Sequence, residues 1–560
     1  LTLSMSGPSV FLLDGYIDEP SALGVPPYLS PHARYIAGAA WDLDCRLDYR
    51  TVDQWRTDPE TRNAMEMADL LVVLSGALVP GKYLRGTPVS LRELEDIGSA
   101  SVSKVLGGPV AQSSSLRERL AKLEGSYDRI VGGDLDAGVH DLITSGDARG
   151  RRRNPDEWGR WSIRGADLVS MHPDFPLPLT VEVETSRGCV RYICGGCSFC
   201  TEPEFGRPVF RSPMEVGREV EAIYKNGVRS IRLGGQSCIF SYGTRDLGNS
   251  STPRPDPRAV SDLFEEVNRV APDLRMLHVD NANPAIISKY PDESRQIAKT
   301  LVERCTSGNV VALGMESADP SVKEANNLNS TPEQVMDAVK LLNEIGGERG
   351  PSGLPNLLPG INIVMGLEGE SKDTPRLNME FFQEVDRRGL MLRRINIRQV
   401  IPHRRPFGGG ISHSEFIKFK KRVREEIDGP MLKRVVPEGT VLRNVYLEVF
   451  RDGLSLGRQL GSYPLLVALP YPTGLDRFTD VWITDHGYRS LTAVEHPFPI
   501  NTAGLKALQA LPGVGKKRAA RLVRGRPFDG FAKFLEALDD PLVGTSLRGH
   551  LDLNGSGSSP

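Results

Sequence analysis

Four of the chain's seven cysteines fall within twelve residues, Cys189-Val-Arg-Tyr-Ile-Cys194-Gly-Gly-Cys197-Ser-Phe-Cys200, while Cys45, Cys238 and Cys305 are scattered. A thiolate cluster this dense holds a metal, does chemistry or forms disulfides, and the rest of the reading depends on which. No apolar run approaches the ~20 residues of a membrane-crossing helix. The opening Leu1-Thr-Leu-Ser-Met5 shows no secretory pattern. The expected location is therefore the cytoplasm, with no membrane partner. There, clustered cysteines serve metal binding or catalysis rather than a disulfide framework. Zinc takes four thiolates, but usually from two separated pairs. One loop without a second pair favours an iron–sulfur site over zinc or inert thiols.

With 560 residues, the chain has room for roughly three or four domains. Net charge is −2, so the chain as a whole is no basic nucleic-acid coat, yet its charge is uneven. Residues 501–526 carry seven Lys/Arg and no Asp or Glu. Arg149 with Arg151 to Arg153 forms a second basic cluster, and Lys418, Lys420, Lys421, Arg422 and Arg424 a third. Each alone reads as a solvated surface. Together they point toward a polyanionic partner.

Residues 1–145 alternate apolar runs (Val10–Leu13, Leu70–Leu74, Lys104–Leu106, Arg129–Val131) with helical segments such as Ala33–Asp44 and Leu91–Ile97. That alternation predicts an open, Rossmann-like α/β sheet. Residues 146–175 read as a linker. A second alternation places strands at 179–185, 229–233, 274–280, 309–315, 360–365 and 394–400. Amphipathic helices lie between them, one closing at Gly227 and another starting at Thr331-Pro332. Six strand–helix units predict a (βα)6 partial barrel over 176–430. Its functional loops should lie at the strands' C-terminal ends, and a basic helix at 413–427 follows. Residues 431–498 read as a small all-β, OB-like barrel and 499–545 as helical. The Gly/Ser-rich tail in 546–560 reads as disordered.

The cysteine loop, placed just after the first barrel strand, resembles the radical S-adenosylmethionine (SAM) superfamily. Ser186-Arg-Gly-Cys189 and Gly195-Gly-Cys197-Ser-Phe-Cys200 match the two halves of that family's motif, with four extra residues between them. The resemblance implies a [4Fe–4S] cluster on Cys189, Cys197 and Cys200, with Cys194 the spare and the alternative to Cys189. It implies SAM chelated at the open iron. Leu233-Gly234-Gly235-Gln236 resembles the turn that accepts the methionine amine. Gly314-Met-Glu316-Ser317 and Gly366-Leu-Glu-Gly-Glu370 match later strand-end motifs around SAM, with Asn362 and Arg398 nearby. The implied chemistry is reductive SAM cleavage to methionine and a 5′-deoxyadenosyl radical, which needs an electron donor such as ferredoxin or flavodoxin. Asp280-Asn-Ala-Asn283, Cys238 and Tyr242 are candidates for the substrate side, with Cys238 favoured as a core thiol.

The N-terminal domain resembles the cobalamin-binding-like domain of many such enzymes. It lacks the Asp-x-His-x-x-Gly motif, so cobalamin is not expected, and the domain reads as shaping the substrate entrance. Methylthiotransferases carry three N-terminal cysteines where this chain has Cys45 alone, which disfavours that reaction. The β-module resembles the TRAM domain, with Arg443, Arg451, Arg458, Tyr463 and Trp482 as candidate RNA contacts. Leu508-Gln-Ala-Leu-Pro-Gly513-Val-Gly515-Lys516-Lys517-Arg518-Ala519 resembles a helix-hairpin-helix, whose glycine turn and helix N-terminus bind a phosphate. Lys516, Lys517 and Arg518 would add attraction to the backbone. The combination resembles archaeal radical SAM proteins with a C-terminal helix-hairpin-helix. The expected function is a radical SAM enzyme acting on nucleic acid, with tRNA favoured over DNA. The alternatives are an enzyme on a protein or small molecule with a structural hairpin, and a non-catalytic iron–sulfur nucleic-acid-binding protein.

Overall fold

The computed structural model describes residues 7–18, 23–76, 84, 86–112, 120–148, 150–408 and 410–553. Arg149, the first five residues and the tail 554–560 lie outside them. No helix among the described residues is long and apolar enough to cross a membrane.

Five parallel strands open the chain: β1 (Ser9–Asp14), β2 (Arg46–Thr51), β3 (Leu70–Leu74), β4 (Lys104–Gly107) and β5 (Arg129–Val131), in the order β2-β1-β3-β4-β5. Val10 and Leu12 enter one core, Phe11 and Leu13 the other. A strand buried on both faces reads as a continuous apolar run, which is why β1 and β3 stand out in the sequence.

Six further parallel strands form the partial barrel: β6 (Thr180–Glu184), β7 (Ser230–Gly234), β8 (Met276–Val279), β9 (Asn309–Glu316), β10 (Leu357–Met365) and β11 (Arg394–Gln399). Their two halves meet through the bridge Ala282↔Leu313. Capping boxes start two of the intervening helices, Ser212 with Glu215 and Thr331 with Gln334. Val181, Val183, Ile231, Leu233 and Val279 pack in the apolar core, whereas the alternate residues Glu182, Glu184, Arg232, His278 and Asp280 are buried and polar. The short strand Tyr28–Leu29 extends the sheet at β6.

The stretch expected as a linker holds the helix Pro155–Arg164 and a 3-10 turn, Gly165–Met171. Trp161 is fully buried, and a Cβ on Gly38 would sit 2.1 Å from its carbonyl oxygen, so the two helices touch backbone to backbone. Arg151 and Arg153 of the basic cluster are internal cement rather than a polyanion surface. Arg151 spans Asp141 and Glu157, and Arg153 is buried against Asp136 and Glu184 at 2.5 and 2.7 Å.

The expected helix 413–427 runs as α over His413–Val423, then turns π over Arg424–Asp428. Five strands, β12 (Val441–Arg451), β13 (Leu454–Gln459), β14 (Leu465–Leu469), β15 (Arg477–His486) and β16 (Ser490–His496), close into a barrel ordered β12-β13-β14-β16-β15. The β13–β14 loop enters the partial barrel. Tyr463 Oη donates to Asp280 at 2.8 Å, and the Ser462 N–H donates to His278 Nδ1 at 3.1 Å. Four C-terminal helices follow: Leu505–Gln509, Lys516–Gly525, Phe531–Leu538 and Pro541–Leu547.

Three of the five candidate RNA contacts on the β-module are structural instead. Arg458 is buried against Glu448, Tyr463 lies inside the partial barrel, and Trp482 is stacked under His550 at 3.9 Å. Arg443 is exposed but paired with Asp480 at 3.2 Å, while Arg451 is exposed.

Candidate active site

The cysteine loop leaves β6 through Ser186–Arg187, which pairs antiparallel with Val209–Phe210 and clasps the loop at its base. Left-handed glycines turn the backbone inside it. Gly196 (φ +62) packs so tightly on Pro203 that a Cβ would come within 2.2 Å of Pro203 Cγ. Cys189, Cys197 and Cys200 are partly buried, and each lies close enough to feel the charge of the other two. Burial pushes all three thiols up, Cys197 to about 11. A metal would therefore have to displace their protons on binding. Cys194 is exposed and turned aside, its thiol donating to the Arg191 carbonyl at 3.3 Å.

A tetrahedral zinc at about 2.3 Å from each sulfur needs thiolates about 3.8 Å apart. Among the described residues, the metal-capable atoms that all lie within 4.8 Å of one another belong to Glu438, Asp485 and His486, not to this loop.

Arg191 inside the loop and three residues far away in sequence hold the loop together. The Arg191 guanidinium donates to Cys197 Sγ at 3.0 Å and to the carbonyl and side chain of Asn327 at 2.8 and 2.9 Å. Asn327 Nδ2 donates to the carbonyls of Cys194 and Gly196, each at 2.9 Å. Asn326 accepts from the Ser198 N–H and hydroxyl at 3.0 and 2.8 Å. Arg404 Nη1 donates to the carbonyls of Gly195, Cys197 and Cys200 at 2.9 to 3.3 Å. Sequence reasoning missed all four residues. The adjacent Asn326-Asn327 and the Arg404-Arg405 pair between prolines are the only local signals they give.

The strand-end residues surround the loop. Gly234 and Gly235 have no room for side chains, since Cβ atoms there would meet Glu182 Oε1 at 1.9 Å and Glu184 Cγ at 2.6 Å. Gln236 departs from expectation. Its Oε1 accepts from Thr185, and its Nε2 donates to the carbonyls of Leu233 and Asp280 at 3.1 and 3.0 Å. That side chain ties three strand ends together. Ser317 is buried, its Oγ accepting from the Asp319 N–H at 3.2 Å.

Glu316 ends β9 with φ +64, a backbone that L residues rarely adopt. It lies near Cys197, and no donor among the described residues caps its carboxylate. Burial raises it to about 8 against the opposing pull of Arg398. Arg398 Nε is oriented by Asn396, which donates to Asn362, both at 3.3 Å. Glu370 Oε2 accepts from the Gly366 N–H at 2.8 Å, while its Oε1 is buried without a partner. Burial lifts this carboxyl to about 7. Gly366 takes φ +93, which permits the turn. Leu367, Val322 and Leu328 form an apolar floor against Cys197 and Phe199.

The substrate-side candidates are otherwise engaged. Cys238 is a buried core thiol that accepts from the Asn283 N–H, and Tyr242 Oη donates to the Arg211 carbonyl at 2.6 Å. Asp280 is paired with Arg232, Asn281 Nδ2 donates to the Gln236 carbonyl at 3.1 Å, and Asn283 caps the next helix.

At the C-terminal helices, only Gly513 of the glycine pair takes the left-handed conformation (φ +74). Gly515 is an extended N-cap with φ −77 and no side-chain cap. Lys516 and Lys517 are exposed beside it. Arg518 is drawn inward, donating to the Gly513 carbonyl at 2.7 Å and pairing with Asp540 at 2.5 Å.

Residues 183–381 match the Radical SAM superfamily domain. An uncharacterized protein of Methanocaldococcus jannaschii is 44% identical over 505 residues, covering 86% of this chain and 92% of its own length. A tRNA-2-methylthio-N(6)-dimethylallyladenosine synthase of Dehalococcoides mccartyi is 22% identical over 51% of this chain and 62% of its own. The solved structure of the cobalamin-dependent S-adenosylmethionine radical enzyme OxsB matches with a TM-score of 0.46 and 13% identity, over 75% of this chain and 56% of that one. The matched domain begins inside β6 and takes in the cysteine loop, the Gly-Gly turn and the ends of β9 and β10, and the chain belongs to the radical SAM superfamily.

Proposed function

We propose that Cys189, Cys197 and Cys200 hold a [4Fe–4S] cluster beside bound SAM, and that the enzyme modifies RNA, with tRNA the favoured substrate. The observation that carries the cluster assignment is the mutual proximity of these three thiols, with Cys194 turned aside. When bound, the cluster and SAM supply one-electron cleavage chemistry that ends in hydrogen abstraction from an unactivated carbon.

The chain's own residues bind and orient. The backbone at Gly234–Gly235 is open to close approach by the methionine amine. Glu316 keeps its proton through neutral pH until a cationic group beside it draws the proton off. The unpaired Glu370 Oε1 is an acceptor aimed at no protein donor, which suits an amino group on the adenine side. The apolar floor at Leu367 keeps water from the loop's inner side. A ferredoxin or flavodoxin supplies the electron.

RNA is favoured because the uncapped helix start at Gly515 presents free N–H groups between Lys516 and Lys517. The likeness to tRNA-2-methylthio-N(6)-dimethylallyladenosine synthases points the same way. The β-module is read as the TRAM/OB-like barrel and the C-terminal helices as a helix-hairpin-helix. A second reading, an enzyme on a protein or small molecule, draws support from Arg518, which is tied into the fold rather than presented to a phosphate.

The test is SAM cleavage. Anaerobically reconstituted protein with dithionite is followed for 5′-deoxyadenosine with and without bulk tRNA or DNA. Cleavage that tRNA stimulates and Cys197→Ala abolishes is the expected result. Cleavage indifferent to both nucleic acids favours the second reading. An intact cluster with bound SAM and no turnover overturns the enzyme assignment.

A further inference from the structure

Where the barrel mouth meets the β-module, four segments bring four cations together. Arg398 comes from β11, Lys420 from the helix His413–Val423, Arg424 from the start of the π turn, and Arg489 from the turn between β15 and β16. Lys420 lies within electrostatic reach of the other three, and Arg489 within reach of Arg424. Among the described residues none of the four makes an ion pair. Arg398 has only the Asn396 side chain at 3.3 Å, and Lys420 stands 5.3 Å over the Phe416 ring. Two carboxylates lie within their reach, Asp428 near Arg424 and Arg489 and Glu316 near Arg398, and burial lifts them to about 6 and about 8.

This lack of partners is local. On the same helix, Lys421 and Arg422 pair with Glu425 and Glu426 at 3.8 and 2.7 Å. Four cations against two buried carboxylates leave an excess of positive charge with no direct ion pair, and that excess is relieved by an anion supplied from outside. Beside Arg489, Tyr488 is 59% exposed, a large aromatic face left in water. Clustered cations beside an exposed aromatic are what a single-stranded nucleic acid requires, phosphates on the first and a base on the second. Arg398 also faces Glu316, so this charge continues into the candidate active site.

We propose that this face binds single-stranded RNA, with Lys420, Arg424 and Arg489 on successive phosphates, Tyr488 under a base, and Arg398 at the phosphate nearest the barrel mouth. The proposal rests on the RNA reading above and adds to it the path by which the strand reaches the site. The C-terminal helices serve as a separate hold.

The test uses the full chain and a fluorescein-labelled 12-nucleotide oligo(U), with anisotropy followed across salt concentrations. For single strands, each phosphate contact contributes about 0.7 to the slope of log K against log salt. Lys420→Gln/Arg424→Gln/Arg489→Gln is expected to lower that slope by about 2 and to weaken binding at least tenfold at 0.1 M salt. Tyr488→Ala is expected to weaken binding with the slope unchanged. Lys421→Gln/Arg422→Gln, on the paired face, should change neither. Arg489→Gln alone, on an exposed turn, guards against misfolding of the triple variant and should lower the slope by about 0.7.

Wild-type slope and affinity in the triple variant and in Tyr488→Ala overturn the proposal for this face. If Lys516→Gln/Lys517→Gln then abolishes binding, the RNA reading survives without it. Displacement of the RNA by polyglutamate of equal charge at equal concentration overturns recognition of a nucleic acid in favour of an acidic protein partner. No binding of oligo(U) or tRNA by the wild type at low salt overturns that proposal and the RNA reading together.

Discussion

Glu370 places one carboxylate oxygen on the Gly366 N–H at 2.8 Å and buries the other without a donor. Its carboxyl rises from 4.5 to about 7 because water is excluded. The consequence for stability has a definite sign. Below pH 4.5 the group is protonated whether folded or unfolded. Between 4.5 and 7 the unfolded chain ionises first, so stability falls with rising pH, and above 7 the loss is complete. Glu370→Gln removes the ionisation. Its denaturation midpoint should match the wild type at pH 4.5 and exceed it at pH 8, and equal midpoints at pH 8 would contradict the assignment. Among the thiols, Cys189→Ser, Cys197→Ser and Cys200→Ser should each lose most of the iron on reconstitution, whereas Cys194→Ser retains it. Iron and sulfide analysis of the four proteins decides this. Loss in Cys194→Ser with retention in Cys189→Ser would exchange their roles.

The cysteine loop shows what can be read locally and what cannot. The thiols, the glycines and the Gly-Gly turn are visible in the sequence because their spacing within a few residues is the signal. Most of the six strands are equally plain as apolar or alternating runs, least so β11, where only Ile397 of Arg394–Gln399 is buried. The loop's clamps are not visible. Asn326 and Asn327 act from the turn after Pro320–Ala325, and Arg404 from beyond β11, and proximity across the barrel leaves no periodic trace. Charge misleads for the same reason. Arg151 and Arg153 look like a polyanion site until the carboxylates that meet them are in place. Gln236 looks like a ligand group until Thr185 and the strand carbonyls use up its side chain. Arg404→Leu tests the clamp. It removes three hydrogen bonds from a charged donor to loop carbonyls, interactions of about 1.5–3 kcal/mol each. The expected result is cluster loss to a chelator at least tenfold faster, with the far-ultraviolet circular dichroism spectrum unchanged. An unchanged loss rate would show that the clasp at Ser186–Arg187 suffices. Gly235→Ala should be more damaging, because φ +70 and the 2.6 Å approach to Glu184 both oppose a side chain. SAM affinity is expected to fall even where the fold survives.

The N-terminal sheet, the partial barrel and the β-module are joined by buried charge as much as by apolar contact. Arg232 and Glu182, both fully buried, pair at 2.7 Å. Arg232 also meets Asp280, which accepts from Tyr463 of the β-module. Glu182 in turn accepts from the Leu23 N–H at 2.6 Å, and its carbonyl accepts from Arg34. Tyr28 Oη donates to the Gly461 carbonyl, so the β13–β14 loop touches the N-terminal region as well as the barrel. Such a network adds little net stability when whole, but removing one partner strands the others in low dielectric at a cost of about 3–5 kcal/mol. Arg232→Met leaves Glu182 and Asp280 buried together without a cation, while Tyr463→Phe removes a single donor and costs about 1–2 kcal/mol. The β-module should therefore loosen in a fixed order. Arg232→Met protein should be cut by protease in the connection 436–440 many times faster than the wild type, with Tyr463→Phe in between. Release of the β-module would also separate Arg489 from Lys420 and Arg424, so the same series should lose RNA affinity in the same order. Equal cleavage rates for all three proteins would mean that apolar packing alone seats the module. Faster cleavage without weaker RNA binding would place the RNA entirely on the barrel and the C-terminal helices.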